Sequence, residues 1–173
     1  MSFSIKATIR GFVARNHRLS CPGALWQQVL SELARRTENR HESGAFLLGV
    51  RDGDRRQIRE AVYYDDLDPQ AYASGVCVLH GDAFAKLWAL CRSRNLTVVA
   101  DAHTHPREAF QSSSDRTNPM VAREGHIAII IPNFAREPVP MQAIGIWEYK
   151  GQHEWFDRRV NKAPGYFYTG MWS

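Results

Sequence analysis

The sequence predicts a single α/β domain, a curved mixed β-sheet flanked by two main helices. Three observations predict it. The chain has 173 residues, 44% hydrophobic and 23% charged, enough for one globular core and too few for several domains. Short apolar runs such as AFLLGV (residues 45–50) and HIAIII (126–131) have the length of buried strands rather than helices. Two longer segments, Leu25, Trp26, Val29, Leu30, Leu33 and Phe84, Leu87, Trp88, Cys91, repeat apolar residues at helical spacing.

In chain order, residues 4–13 partly alternate Ile5, Ala7 and Ile9 with polar residues and read as a strand. Ser20-Cys21-Pro22 reads as a helix start, with serine as cap and proline in the first turn, and that helix ends between Thr37 and Arg40. AFLLGV, the turn Arg51 to Asp54 and residues 57–64 make a hairpin. Residues 65–74 are polar and irregular, and 76–79 form a brief strand. A second helix covers 82–94, followed by the strand 96–100, which runs directly into Asp101-Ala102-His103. The buried strand 126–131 is closed by Pro132, and 142–149 with 153–158 form a last hairpin across Lys150-Gly151. The domain takes in residues 1–163, and 164–173 (PGYFYTGMWS) is an aromatic C-terminal tail that either packs on the domain or meets a partner.

Composition excludes several classes. No apolar run approaches a membrane span, and MSFSIKATIRG lacks the apolar core of a secretory signal, so a cytoplasmic protein is expected. Cys21, Cys77 and Cys91 are scattered with no CxxC pair, which removes four-cysteine zinc knuckles and disulfide scaffolds; they read as small buried hydrophobes rather than nucleophiles.

The segment DAHTHPREAFQSSSDRTN (101–118) carries the chemistry. In an extended chain His103 and His105 point to the same side, at the end of a rigid strand, and Asp115 follows ten residues after His105 at the expected start of a helix. Two histidines and a carboxylate are a catalytic zinc set, one Zn2+ with a catalytic water as fourth ligand. Such a site needs a carboxylate near the water to move its proton. Glu42, just before AFLLGV, is the candidate; its ordinary alternative is a surface ion pair with Arg40 or His41. Asp101 either orients a ligand histidine or simply ends a strand, and the second reading is preferred. His17, His41, His80, His126 and His153 read as ordinary structural or surface histidines.

Glu42 leading ESGAFLLG, then HTHP, then SSSD resembles the JAMM/MPN+ zinc metalloprotease family, and HTHPREAFQSSSD is especially similar to AMSH-type deubiquitinases. EGHIAIIIPNFA resembles bacterial members, which accompany ubiquitin-like proteins and ubiquitin-activating-type enzymes, including in antiphage operons. The resemblance implies a JAMM/MPN-like fold, zinc on His103, His105 and Asp115, Glu42 as general acid/base and Ser112 supporting the oxyanion. It implies hydrolysis of an isopeptide or peptide bond after the C-terminal glycine of a ubiquitin-like protein, with that protein, its conjugates and its activating and conjugating enzymes as partners. His105 and Asp115 stand one residue closer than the family's usual eleven, so either Ser112 or Ser113 fills the oxyanion role. The substrate tail is expected to add as a strand to residues 44–49 or a neighbouring edge.

Two other classes stand beside this one: a noncatalytic MPN scaffold, and a RadC-like nucleic-acid-associated protein. The second typically shows HNHPSG where this chain has HTHPRE. The charge of +4 is uneven: residues 1–59 hold eleven Lys+Arg against five Asp+Glu, and residues 60–173 hold eleven against thirteen. The basic first third suits an acidic protein partner or solubility better than nucleic acid.

Overall fold

A computed structural model describes residues 17–170. The strand expected over 4–13 lies outside them. Eight strands form one mixed sheet in the order β7-β6-β5-β4-β2-β3-β1-β8. The strands are β1 (Leu19–Pro22), β2 (Gly44–Asp52), β3 (Arg55–Tyr63), β4 (Thr97–Thr104), β5 (Ile127–Ile131), β6 (Gly145–Gly151), β7 (Glu154–Asp157) and β8 (Phe167–Gly170). The helices are α1 (Gly23–Arg36), α2 (Tyr64–Leu67), α3 (Gly81–Arg94) and α4 (Ser113–Thr117), of which α1 and α3 are the long ones. The expected α/β domain with a curved mixed sheet and two main helices is what the chain forms.

β2 shows why AFLLGV had to be a strand. Successive side chains point to opposite faces, and both faces are covered. Ala45 and Leu47 enter the core beneath α1, whereas Phe46 and Leu48 enter a second core beneath α3. A strand buried on both sides reads as a continuous apolar run. β2 pairs antiparallel with β3 on one side and with β4 on the other. Its backbone is therefore fully engaged, so no substrate strand adds along residues 44–49. The sheet's outer strands are β7 and β8.

Three local expectations are corrected. Ser20 does not cap a helix. Residues 19–22 are a strand held parallel to both β3 and β8, Ser20 Oγ reaches the Arg56 carbonyl at 3.5 Å, and α1 starts after Pro22 with no side-chain cap. Residues 76–79 are a loop, not a strand, because β2 and β4 already occupy each other's edges; Val76 and Val78 are left exposed. On α3 the buried stripe is Ala83, Leu87 and Cys91, with Phe84 packed beside it, and Trp88 is 40% exposed. Within the aromatic tail, residues 167–170 form β8, paired with β1 from Leu19–Phe167 to Pro22–Gly170, with Phe167 edge-on to Trp26 of α1.

Candidate metal centre

β4 sets the site. Its residues alternate between the two cores: Ala100 and Ala102 face α1, so Asp101 and His103 face the α3 side. The chain stays extended one residue past the strand, where the His105 N–H donates to the Ile131 carbonyl at 2.9 Å. His105 therefore falls on the same side as His103, and their Nε2 atoms approach to 3.1 Å, as the HxH spacing predicts.

Asp115 arrives from α4. Ser112 is the helix cap: its Oγ accepts from the Asp115 N–H at 3.2 Å, and the Ser112 N–H donates to Asp115 Oδ2 at 2.7 Å. This reciprocal capping box fixes both the helix start and the carboxylate. Asp115 Oδ1 lies 3.4 Å from His103 Nε2, and Oδ2 lies 3.4 Å from His105 Nε2. The three side chains can hold a metal ion. Their separations are those of the donor set, because zinc bonded at ~2.0–2.1 Å in a tetrahedron places neighbouring ligand atoms ~3.3 Å apart.

Glu42 stands beside them, its Oε1 3.8 Å from His105 Nε2. It is held by the start of β2. The Ser43 N–H donates to Thr104 Oγ1 at 3.0 Å, the Thr104 N–H donates to the Ser43 carbonyl at 2.8 Å, and Ser43 Oγ donates to the Leu33 carbonyl at 2.8 Å. The Cys77 backbone beside the Glu42 carboxylate favours its ionised form. Arg40 pairs with Glu38, not with Glu42. Gly44 is required here, since a Cβ on it would sit 2.2 Å from the Tyr64 ring.

The electrostatics favour a cation among these groups. Burial alone would push the His103 pKa down, but the Asp101 and Asp115 carboxylates outweigh it and lift His103 to about 10. Burial would raise Asp115; the two imidazoles and Ser112 hold it well below the usual carboxylate range. Glu42 moves the other way: burial raises it, and the neighbouring imidazoles offset only part of that rise. Burial also pushes the Cys77 thiol up, so beside this site it is a poor nucleophile.

Asp101 is not a plain strand end. It is 2% exposed, accepts from His126 Nε2 at 2.5 Å and from Tyr64 OH at 3.3 Å, and its Oδ2 lies 3.9 Å from His103 Nδ1. It stands behind the imidazole whose other nitrogen faces the cluster, the position of a carboxylate that orients a metal ligand. The sequence held the clue in the alternation Asp101, His103, His105. His126 is a buried histidine whose ring, among the described residues, hydrogen-bonds Asp101 alone. Phe110 was also missed: it is 56% exposed and edge-on to His105 at 5.8 Å between ring centres.

No protein-family model matches the chain. It is 27% identical over 132 residues to the probable metalloprotease y4jG of Sinorhizobium fredii, a match that covers 76% of this chain and 78% of that protein. Its fold is similar to the solution structure of protein DSY2949 from Desulfitobacterium hafniense (TM-score 0.63, 18% identical, 87% of this chain and 92% of that one). A second solution structure, of a protein from Salinibacter ruber, matches with TM-score 0.53 at 20% identity over 80% of this chain and 86% of that one. The chain thus resembles a probable metalloprotease over most of its length, and it carries a His–His–Asp group able to hold a metal.

Proposed function

We propose that the protein is a zinc-dependent peptidase of the JAMM type, cleaving after the C-terminal glycine of a ubiquitin-like protein. The observation that carries this reading is the convergence of His103, His105 and Asp115 at 3.1–3.4 Å with Glu42 poised 3.8 Å from His105. His103 Nε2, His105 Nε2 and the Asp115 carboxylate would hold the ion. Bound there, zinc supplies Lewis-acid polarisation of a carbonyl and lowers the pKa of water.

The chain's own groups do the rest. Glu42 takes a proton from the attacking water on a carboxylate oxygen and returns it to the departing amine; its upward-shifted pKa suits a group that must hold the proton between these steps. Ser112 Oγ receives the Asp115 N–H, which leaves its own hydroxyl proton to donate to the developing oxyanion. Ser113 is exposed on the first turn of α4 and has no part in the capping box, so Ser112 takes this role. Phe110 offers an exposed apolar face next to the metal for the residues around the scissile bond. The partner is a ubiquitin-like protein or its conjugate in a bacterial conjugation pathway, with a narrow glycine-ended tail able to reach the recessed histidines, which are 5–9% exposed.

The test is to incubate the purified protein with fusions of candidate ubiquitin-like proteins, with and without a chelator. Cleavage after the terminal glycine, lost on chelation and restored by zinc, is expected. E42Q is expected to lose cleavage yet still bind one zinc per chain. Undiminished cleavage by E42Q overturns the role of Glu42; a zinc-loaded protein that cuts none of the fusions overturns the substrate class.

A further inference from the structure

The end of the sheet remote from the metal holds a second built feature. A cavity of about 330 Å³ opens where β2, β3, β6 and the segments before β1 and after β7 meet. Arg18, Arg51, Arg56 and Arg158 line it, together with Asp54 and Glu148. Gly44 pairs with His103 at one end of β2, and Arg51 pairs with Arg56 at the other. At ~3.3 Å per residue the two sites are therefore roughly 20 Å apart.

Arg56 is the anchor. It is 8% exposed, an unusual burial for a guanidinium, and among the described residues that guanidinium makes one hydrogen bond, from Nη1 to the Val99 carbonyl at 3.4 Å. It has no carboxylate within ion-pair distance among the described residues. A buried charge without a counter-charge is costly, and burial with neighbouring Arg51 lowers its pKa. Glu148 relieves it only in part and without an ion pair, its Oε2 being taken by Arg158 Nε at 2.8 Å and Tyr166 OH at 3.0 Å. Arg18 and Arg51 make no side-chain hydrogen bond or ion pair among the described residues. Four guanidinium groups against two carboxylates leave an excess of two positive charges in one small concavity, and residues 1–16 contain no Asp or Glu to offset it.

We infer that this cavity binds a phosphorylated small molecule through a phosphomonoester dianion. The excess charge matches a dianion. Guanidinium forks coming from different segments suit a tetrahedral group with several acceptor oxygens better than a planar carboxylate, which one or two forks satisfy. The inference also gives the basic first third of the chain a local purpose, since Arg18, Arg51 and Arg56 all belong to it.

The test is isothermal titration of the zinc-loaded full chain with inorganic phosphate, glycerol 3-phosphate, acetate and a single-stranded oligonucleotide. Saturable 1:1 binding of phosphate or the monoester, with acetate much weaker, is expected. The exposed double variant R18Q/R51Q, whose fold is checked by circular dichroism, is expected to weaken that binding about tenfold or more, because it removes two of the four guanidinium groups that line the cavity. No saturable phosphate binding overturns the inference, as does binding unchanged in R18Q/R51Q. Oligonucleotide binding tighter than the monoester's and lost in R18Q/R51Q also overturns it, by assigning the cavity to a phosphodiester backbone. None of these outcomes depends on the metal site being a peptidase.

Discussion

Asp101 shows what a single side chain can do behind a candidate metal ligand. It is buried, it accepts from His126 and Tyr64, and it lies 3.9 Å from the His103 nitrogen that faces away from the cluster. A carboxylate in that position fixes the ring's tautomer and orientation, and its loss usually costs about 10- to 100-fold in metal affinity. D101N keeps the size and an acceptor oxygen but removes the charge, so zinc affinity is expected to fall by about that factor while the fold persists; competition with a chromophoric chelator measures it. D101A is expected to do more harm, because it leaves the buried His126 and Tyr64 donors unsatisfied at about 1–3 kcal/mol each, read as a lower unfolding midpoint. The convergence of His103, His105 and Asp115 was legible in part: HxH places two rings on one side by strand periodicity, whereas the capping box that turns Asp115 toward them shows only in the structure. The Asp101 role was not legible, because an aspartate at a strand end and one buried under a histidine have the same sequence. What separates them is the tertiary cover that Tyr64 and His126 provide from elsewhere in the chain.

At the level of elements, α4 is only one turn long and buries none of its residues, so tertiary packing does little to hold it. Its start rests on the two capping-box hydrogen bonds between Ser112 and Asp115, and the same bonds aim the carboxylate at the histidines. S112A is therefore expected to cost about 1 kcal/mol as a lost cap and to weaken zinc binding as well, whereas S113A, which removes no cap, leaves zinc affinity within twofold of the parent. Equal effects of the two substitutions on zinc titration would refute the positioning part of this argument. β2 gives the contrasting case. L47A deletes a fully buried side chain beneath α1, a change that costs about 2–5 kcal/mol, yet its zinc stoichiometry is expected to stay at one below the new unfolding midpoint, since Leu47 faces away from the histidines. The elements that the sequence misplaced share a cause. Residues 19–22 and 76–79 have similar local character, but only the first finds open strands, β3 and β8, to pair with. Pairing partners are set by the whole sheet and leave no local trace.

Across the whole molecule, the groups of the candidate metal centre come from chain segments that only the completed sheet brings together. His103 and His105 end β4, Asp115 starts α4, and Glu42 precedes β2, which joins β4 through the Ser43–Thr104 hydrogen bonds. The unfolded chain has no such preformed site, so a zinc ion held there would bind the native state preferentially and its binding free energy would add to stability. At free zinc a thousandfold above the dissociation constant the gain is about 4 kcal/mol. For a domain of this size that corresponds to an unfolding midpoint raised by roughly 8–16 °C. The stabilisation is expected to be local as well: the loop between His105 and Asp115 is fastened to the sheet by the Asn133 N–H on the Arg107 carbonyl at 2.7 Å and by Trp155 Nε1 on the Arg116 carbonyl at 3.2 Å, and an ion would add a link between its two ends, so hydrogen exchange over residues 106–117 should slow on zinc addition while the cores under α1 and α3 change little. E42Q separates binding from chemistry. Glu42 is not among the three donors, so E42Q is expected to show the full zinc-dependent midpoint shift and the same slowed exchange. H105A, which removes one of the three, is expected to lose most of both. Calorimetric scans of the three proteins with zinc and with chelator measure this, and an E42Q protein that no longer responds to zinc would move Glu42 from proton carrier to ligand.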